Sequence, residues 1–239
     1  MPAAIANALA GKAVIVTGAS RGIGAAIARS AVDEGASLLA VSRSGRGEPL
    51  PGARRLAVDL RDDDAPRGVL ESCLDAFGKV DCLVNNAGII HHANCWEHPD
   101  EPWDEMFETN VTAPFRLSQQ LVAHWLAAER SGVIVNITSI ESEVAMPHQA
   151  GYAATKGGLL GLTRAMAVEL APAGIRAVAL APGDIATEMA SAANVLGRIP
   201  MARQGTVGEV ANLAVFLLSD RAAYITGAMV AVDGGYLAQ

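Results

Sequence analysis

The chain has few cysteines, few aromatic residues, no surplus of basic charge and no apolar run long enough to span a membrane. Its 239 residues contain three cysteines, Cys73, Cys82 and Cys95. They make no C-x-x-C pair of the kind that holds zinc, and an odd number would leave one thiol over in a secreted disulfide framework. A reducing compartment is therefore expected, and with it a cytoplasmic location. Lysine and arginine number 18 against 25 aspartates and glutamates, a formal net charge of −7. With the arginines scattered, no basic surface is left to neutralise a phosphate backbone, so nucleic acid is not an expected partner. The opening MPAAIANALAGK lacks the charged start and long apolar core of a signal peptide. The apolar runs elsewhere are strand-sized, so no membrane insertion is expected.

Hydrophobic residues make up 51% of the chain, enough for a substantial core at a length that α/β folds fill as one domain, expected over residues 1–239. Short β-rich runs recur at 13–18, 37–42, 54–60, 81–86, 132–139, 175–182 and 228–234. Most are apolar without alternation, as in parallel strands buried on both faces. Between them lie helical segments such as GIGAAIARSAVDEG and LLGLTRAMAVELAPAG, each closed by glycine. No Pro/Ser-rich linker or repeat interrupts the pattern. The expected fold is α/β, a Rossmann-like doubly wound parallel sheet of about seven strands with helices on both faces. The less regular tracts are 42–52, the loop 89–103 and the segment after Pro182-Gly183. In such a sheet the ligand crevice lies at the carboxyl ends of the strands.

Two local patterns carry chemistry. TGASRGIG, residues 17–24, sets Gly18, Gly22 and Gly24 between the first strand and the first helix. Glycine permits a tight turn and close backbone approach, while the helix N-terminus offers N–H groups to a pyrophosphate. The spacing is G-x-x-x-G-x-G rather than the common G-x-G-x-x-G. The second pattern is GYAATKGG, which sets Tyr152 and Lys156 one helical turn apart among small neighbours. By itself such a pair is most often a packed ring and a solvated charge.

The two patterns, with Asp59-Leu60, NNAG at 85–88, Asn110, Ser139 and Pro182-Gly183 in that order, resemble the short-chain dehydrogenase/reductase family over nearly the whole chain. The resemblance implies that Asn110, Ser139, Tyr152 and Lys156 are catalytic. The tyrosine exchanges a proton with the substrate oxygen, and the serine hydrogen-bonds that oxygen. The lysine ammonium stabilises the phenolate and meets the nicotinamide ribose, and the asparagine helps hold a proton path behind it. The resemblance also implies that Gly18, Ser20, Arg21, Gly22, Ile23 and Gly24 bind the cofactor, with Asp59 and Leu60 at the adenine and Asn86, Ala87 and Gly88 along the adenosine side. Asp59 could instead cap the segment after it. Pro182, Gly183, Ile185 and Thr187 resemble the stretch at the nicotinamide carboxamide.

Strand two ends VSRS, so Ser42 stands where the family's NAD-preferring members carry aspartate, and Arg43 follows. With Arg21 in the glycine turn, two guanidinium groups and no carboxylate suit a 2′-phosphate, and NADP(H) is the expected cofactor. The expected activity is hydride transfer between nicotinamide and a carbonyl or alcohol. Alternatives are an NAD-preferring sugar or polyol dehydrogenase and a non-catalytic dinucleotide-binding regulator, which would be expected to have lost Ser139, Tyr152 or Lys156. An oxoacyl chain, a small ketone, a steroid-like ring or a polyol fits as substrate, with Glu97, Glu141 and His148 leaning toward the polyol. Glu141 and Glu143 could equally be exposed loop charges. His91, His92, Cys95, Glu97 and His98 match no ordinary zinc spacing, so no metal is expected. Trp96 and Trp103 read as packing residues, and 187–200 as a lid shorter than that of many relatives. The resemblance further implies a homotetramer, with the Asn110 and Tyr152 helices in one interface and the C-terminal GGYLAQ near another.

Overall fold

The computed structural model describes residues 7–187 and 196–239. Among the described residues seven strands form: β1 (Ala13–Thr17), β2 (Ser37–Ser42), β3 (Arg54–Ala57), β4 (Cys82–Asn85), β5 (Val133–Ile137), β6 (Arg176–Pro182) and β7 (Met229–Val232). They make one parallel sheet in the order β3-β2-β1-β4-β5-β6-β7. Every residue of β1, β4 and β5 is buried, as unbroken aliphatic runs require when helices cover both faces. The edge strand β3 carries Arg54 and Arg55 and is largely exposed, a charged edge that discourages pairing with another chain.

The described residues form six α-helices: α1 (Gly22–Asp33), α2 (Ala65–Phe77), α3 (Asp100–Phe107), α4 (Ala113–Ala127), α5 (Ala150–Leu170) and α6 (Val207–Leu218). The pleat of β1 divides the core. Val14 and Val16 point to one layer with Ile27 of α1 and Val210 and Ala214 of α6. Ala13 and Ile15 point to the other with Val69 of α2, Leu117 and Leu121 of α4 and Met166 of α5. The chain winds outward from β1 through β2 to β3, then returns to place β4 on the other side of β1. That reversal opens a crevice at the carboxyl ends of β1 and β4.

Three local expectations are corrected. The third strand stops at Ala57 rather than residue 60, because the chain bends at Asp59, whose carbonyl accepts from Asp62 N at 3.1 Å. The loop from 89 ends at Pro99 rather than 103: α3 starts there, with Asp100 and Glu101 complementing its N-terminal dipole. Between α3 and α4 one wider π-turn covers Glu108–Thr112 and contains Asn110. Of the expected lid at 187–200, residues 188–195 lie outside the described residues. No described helix is long and apolar enough to cross a membrane.

Candidate active site

The glycine turn is built against the strand-four loop. Gly18 has φ +66°, and a Cβ there would come within 2.8 Å of Asn86 Nδ2 and 2.9 Å of Ala87 Cα. Asn86 Nδ2 donates to Thr17 O at 2.9 Å and to Gly18 O at 3.3 Å. Thr17 Oγ1 accepts from Asn86 N at 3.0 Å and from Ala87 N at 3.1 Å. These bonds hold TGASRGIG and NNAG as one unit. Gly22, at φ +58°, faces open space except for the Thr187 methyl, 3.8 Å from where a Cβ would stand. The stretch from Pro182 to Thr187 therefore reaches over the turn, pinned by Gly183 N to Val232 O at 2.9 Å and by the pairing of buried Ile185 with Gly205. Arg21 precedes α1 in extended conformation without a side-chain cap bond, and the first turn of α1 has no acidic residue. A turn in which Gly18 and Gly24 leave no room for a Cβ, ending on a helix whose first turn carries no acidic residue, fits a dinucleotide phosphate.

The flanks of the cradle differ in how they are held. Ser20 lies beneath Gly47 of the 43–50 loop, whose Cβ position is 3.4 Å from Ser20 Cα. Ile23 packs against the first core layer, so only its backbone can face a phosphate. Ser42 ends β2 half-buried and Arg43 beyond it is exposed. Asp59 is clasped by Arg61, with Nη2 to Oδ2 at 2.7 Å and Nε to Oδ1 at 3.1 Å, while Arg61 Nη1 reaches Glu105 at 2.9 Å. Asp59 Oδ1 also accepts from Arg61 N at 3.1 Å, the local capping alternative. Leu60 packs against the second core layer.

The four residues assigned to catalysis converge from three elements. Ser139 follows β5, Tyr152 and Lys156 lie in the first turns of α5, and Asn110 comes from the π-turn. Lys156 Nζ, on a residue only 4% exposed, donates to Ile137 O at 2.9 Å and lies 5.5 Å from the Tyr152 ring centroid. Asn110 is fully buried and bonds Ile89 in both directions: Nδ2 donates to Ile89 O and Oδ1 accepts from Ile89 N, each at 2.9 Å. Its Nδ2 also donates to Thr155 Oγ1 at 3.1 Å. A Cβ on Gly88 would stand 3.2 Å from Asn110 Oδ1 and 3.5 Å from Lys156 Nζ. The last glycine of NNAG thus joins the cradle to the polar cluster.

A family model described as enoyl-(acyl carrier protein) reductase matches residues 18–237. The chain is 38% identical over 239 residues to the 3-oxoacyl-[acyl-carrier-protein] reductase of Vibrio cholerae, covering 95% of this chain and 98% of that protein. The chain belongs to the short-chain dehydrogenase/reductase family of oxidoreductases. Solved short-chain dehydrogenase/reductase structures share its fold. The 3-ketoacyl-(acyl-carrier-protein) reductase of Brucella melitensis, complexed with NADH, superimposes with TM-score 0.91 at 35% identity, covering 95% of this chain and 99% of that one. A protein assigned as an NAD(P)-dependent gluconate 5-dehydrogenase from Beutenbergia cavernae, with NADP at low occupancy, gives 0.88 at 38% identity, covering 98% and 99%.

Burial dominates the electrostatics of the site in this short-chain dehydrogenase/reductase. The Tyr152 phenol is pushed up, first by burial and then by the Glu141 carboxylate, with a hydrogen bond from Ser139 pulling the other way. Burial weakens the Lys156 ammonium to about 8, with Glu141 as the opposing influence. Glu141, read as a possible exposed loop charge, is 8% exposed, and burial raises its carboxyl to about 7 against the pull of Lys156. With its amide nitrogen turned inward, Gln149 donates to both Glu141 oxygens at 2.8 and 2.6 Å.

The sequence reading missed Gln149, Arg61, Thr155 and Thr17. Only the position of Gln149 three residues before Tyr152, and the D-x-R spacing of Arg61, offered a signal. The histidine loop scatters: His91 faces Glu105 at 3.2 Å, His98 turns to Pro99 O at 2.9 Å and His148 to Asn94 at 2.7 Å. Among the described residues no three His, Cys, Asp or Glu side chains gather as metal ligands. Trp103 packs between His98 and Phe107, whereas Trp96 is 76% exposed and is not the packing residue expected.

Proposed function

We propose that this chain is an NADP(H)-dependent oxidoreductase that interconverts a carbonyl and an alcohol, with Tyr152 as proton donor and acceptor. The observation that carries the reading is the meeting of Lys156 and Asn110 at Gly88, where the glycine cradle ends, with the Tyr152 ring 5.5 Å from Lys156 Nζ and Ser139 bonded to its phenol. NADP(H), when bound, supplies or takes up the hydride. Tyr152, with its phenol held protonated by burial, delivers a proton to the carbonyl oxygen during reduction. Ser139 hydrogen-bonds the phenol and is set beside it to bind the same substrate oxygen. Lys156 holds a buried positive charge one turn from the phenol, and Asn110, locked to Ile89 and Thr155, carries the polar chain behind it. All three residues that a non-catalytic regulator would be expected to have lost are present.

The preference for NADP(H) rests on Arg21 and Arg43 flanking the cradle and on Ser42 in place of a carboxylate. The NADP in the Beutenbergia cavernae structure accords with it. The NADH in the Brucella melitensis structure favours the second reading, an NAD-preferring enzyme of the same chemistry. The assembly proposed is a homotetramer using the α4 and α5 faces and the C-terminus. Phe115 on α4 and Val168 on α5, 41% and 79% exposed, are large apolar side chains open to such an interface. Light scattering that finds only monomer at micromolar concentration removes the tetramer.

The test is Tyr152→Phe, assayed by NADPH absorbance against a ketone panel. The ring stays and the proton donor goes, so turnover should fall roughly 100- to 10,000-fold. The NADPH dissociation constant should stay within about twofold, since uniform binding is untouched. A variant as active as wild type defeats the mechanism.

A further inference from the structure

We propose that Glu141 and Gln149 form a polar end wall of the substrate site that selects a ketone bearing a hydroxyl beside its carbonyl, favouring polyhydroxylated substrates over acyl chains. This inference rests on the carbonyl reductase reading above and names its substrate class.

Glu141 sits in the short turn Ile140–Ser142 that leaves Ser139, and its backbone N–H donates to Ser139 Oγ at 3.1 Å. One hydrogen bond therefore fixes it relative to the hydroxyl that would hold the reacting oxygen. Its carboxyl interacts electrostatically with both Tyr152 and Lys156, so the three share one buried space. A carboxylate offers about four acceptor sites. The Gln149 amide nitrogen spans the two oxygens, leaving acceptor capacity for a ligand.

Gln149 is itself positioned. It is buried and paired with Ala93 across an isolated bridge. The preceding His148 is held in the left-handed region at φ +65°, its carbonyl accepting from Ala93 N at 3.0 Å. His148 Nδ1 lies 2.7 Å from Asn94 Oδ1, and Asn94 Nδ2 donates to Glu97 at 3.0 Å. His148, Asn94 and Glu97, with His92, line a cavity of about 590 Å³. The segment that carries Gln149 thus adds hydrogen-bonding side chains to a pocket that also holds Ala93 and Pro99, and a ligand bearing hydroxyls finds partners there.

The selection follows from the cost of an unpaired buried carboxyl group. An alkyl substituent laid against Glu141 would displace water and return no hydrogen bond, whereas a hydroxyl donates to it if ionised or accepts from it if protonated. Sites built to bond a hydroxyl reject the analogue lacking it far more strongly than apolar pockets distinguish a methylene.

The experiment compares hydroxyacetone with its methyl isostere 2-butanone, together with erythrulose and an acetoacetyl thioester, using NADPH and NADH. Wild type, Glu141→Gln and Glu141→Leu are each checked for folding by circular dichroism. Wild type should show kcat/KM for hydroxyacetone about tenfold or more above that for 2-butanone, with erythrulose better than the thioester. Glu141→Leu should bring the hydroxyacetone to 2-butanone ratio to within about twofold of unity, and Glu141→Gln should keep part of it. Should Glu141→Leu fail to fold, the wild-type ratio and the Gln variant still decide. A wild type that takes 2-butanone or the thioester as well as the hydroxylated ketones overturns the inference and leaves the reductase reading intact. A folded Glu141→Leu that keeps the ratio has the same meaning. Reduction of none of the four with either cofactor overturns the reductase reading and this inference with it.

Discussion

Adding one methyl group at Gly24 tests the cradle most directly. Gly24 is the third residue of α1, and an alanine there would by helix propensity alone gain about 1 kcal/mol. The tertiary structure reverses the sign. The new Cβ would overlap Asn86 Nδ2 and the Gly18 carbonyl oxygen and lie 2.9 Å from the Gly18 carbonyl carbon. Asn86 must then leave its bonds to Thr17 O and Gly18 O, a loss of about 2 kcal/mol for the pair. Overpacking against a backbone carbonyl that cannot rotate away adds about 1–3 kcal/mol. After the propensity gain, the net loss is about 2–4 kcal/mol, which for a chain of this length lowers Tm by roughly 4–16 °C. Gly68, in α2 with nothing within 4 Å of its Cβ position, is the control. There the same substitution should raise Tm by roughly 2–4 °C. Thermal unfolding of both variants, with NADPH titrated by fluorescence, reads the two effects together. Gly24→Ala should also weaken NADPH by about tenfold or more, because the turn presenting its N–H groups must move. If Gly24→Ala melts at the wild-type temperature and binds NADPH unchanged, the cradle is not the tight unit described.

Replacing Ser42 by Asp and Arg43 by a neutral residue should lower the NADP(H) to NAD(H) ratio of kcat/KM by about tenfold or more; a ratio left untouched makes Arg43 a solvated bystander. Glu141 gives stability a pH dependence: its folded carboxyl titrates near 7 rather than 4.5, so the folded state holds the extra proton between those values. Stability should therefore fall as pH rises through that window, by at most about 1.4 kcal/mol per unit, and Glu141→Gln should flatten the slope in urea titrations at each pH. Cys73 and Cys82 are buried with thiols pushed up to about 12 by burial, whereas Cys95 is exposed. Native protein should thus react with Ellman's reagent at one thiol and denatured protein at all three, and fast labelling of three in the native state would contradict the burial.

The order of elements was legible from local composition. Aliphatic runs such as AVIVT and CLVN are strands because parallel strands covered on both faces need no polar side, and glycine-closed amphipathic runs are the helices between them. Boundaries were less legible. The end of β3 depends on a bend at Asp59 and the start of α3 on Pro99, and neither outweighs the apolar pattern in a window of sequence. Within the candidate site, the glycine spacing and the Tyr152–Lys156 interval were readable, since a turn with positive φ and a shared helical face are local properties.

What the sequence determined by itself is therefore the sheet, its windings and the residue types brought to its carboxyl edge. What only the tertiary structure decided is how those residues charge one another. Glu141 reads locally as a loop acid, yet the return of α5 buries it beside Tyr152 and Lys156. Asn110 reads as a helix residue, yet one π-turn aims it at Ile89 and Thr155. Burial and long-range hydrogen bonding depend on which segments meet in space, and here the meeting residues are 21 and 45 positions apart for Asn110 and on different elements for Glu141, beyond the reach of any local pattern.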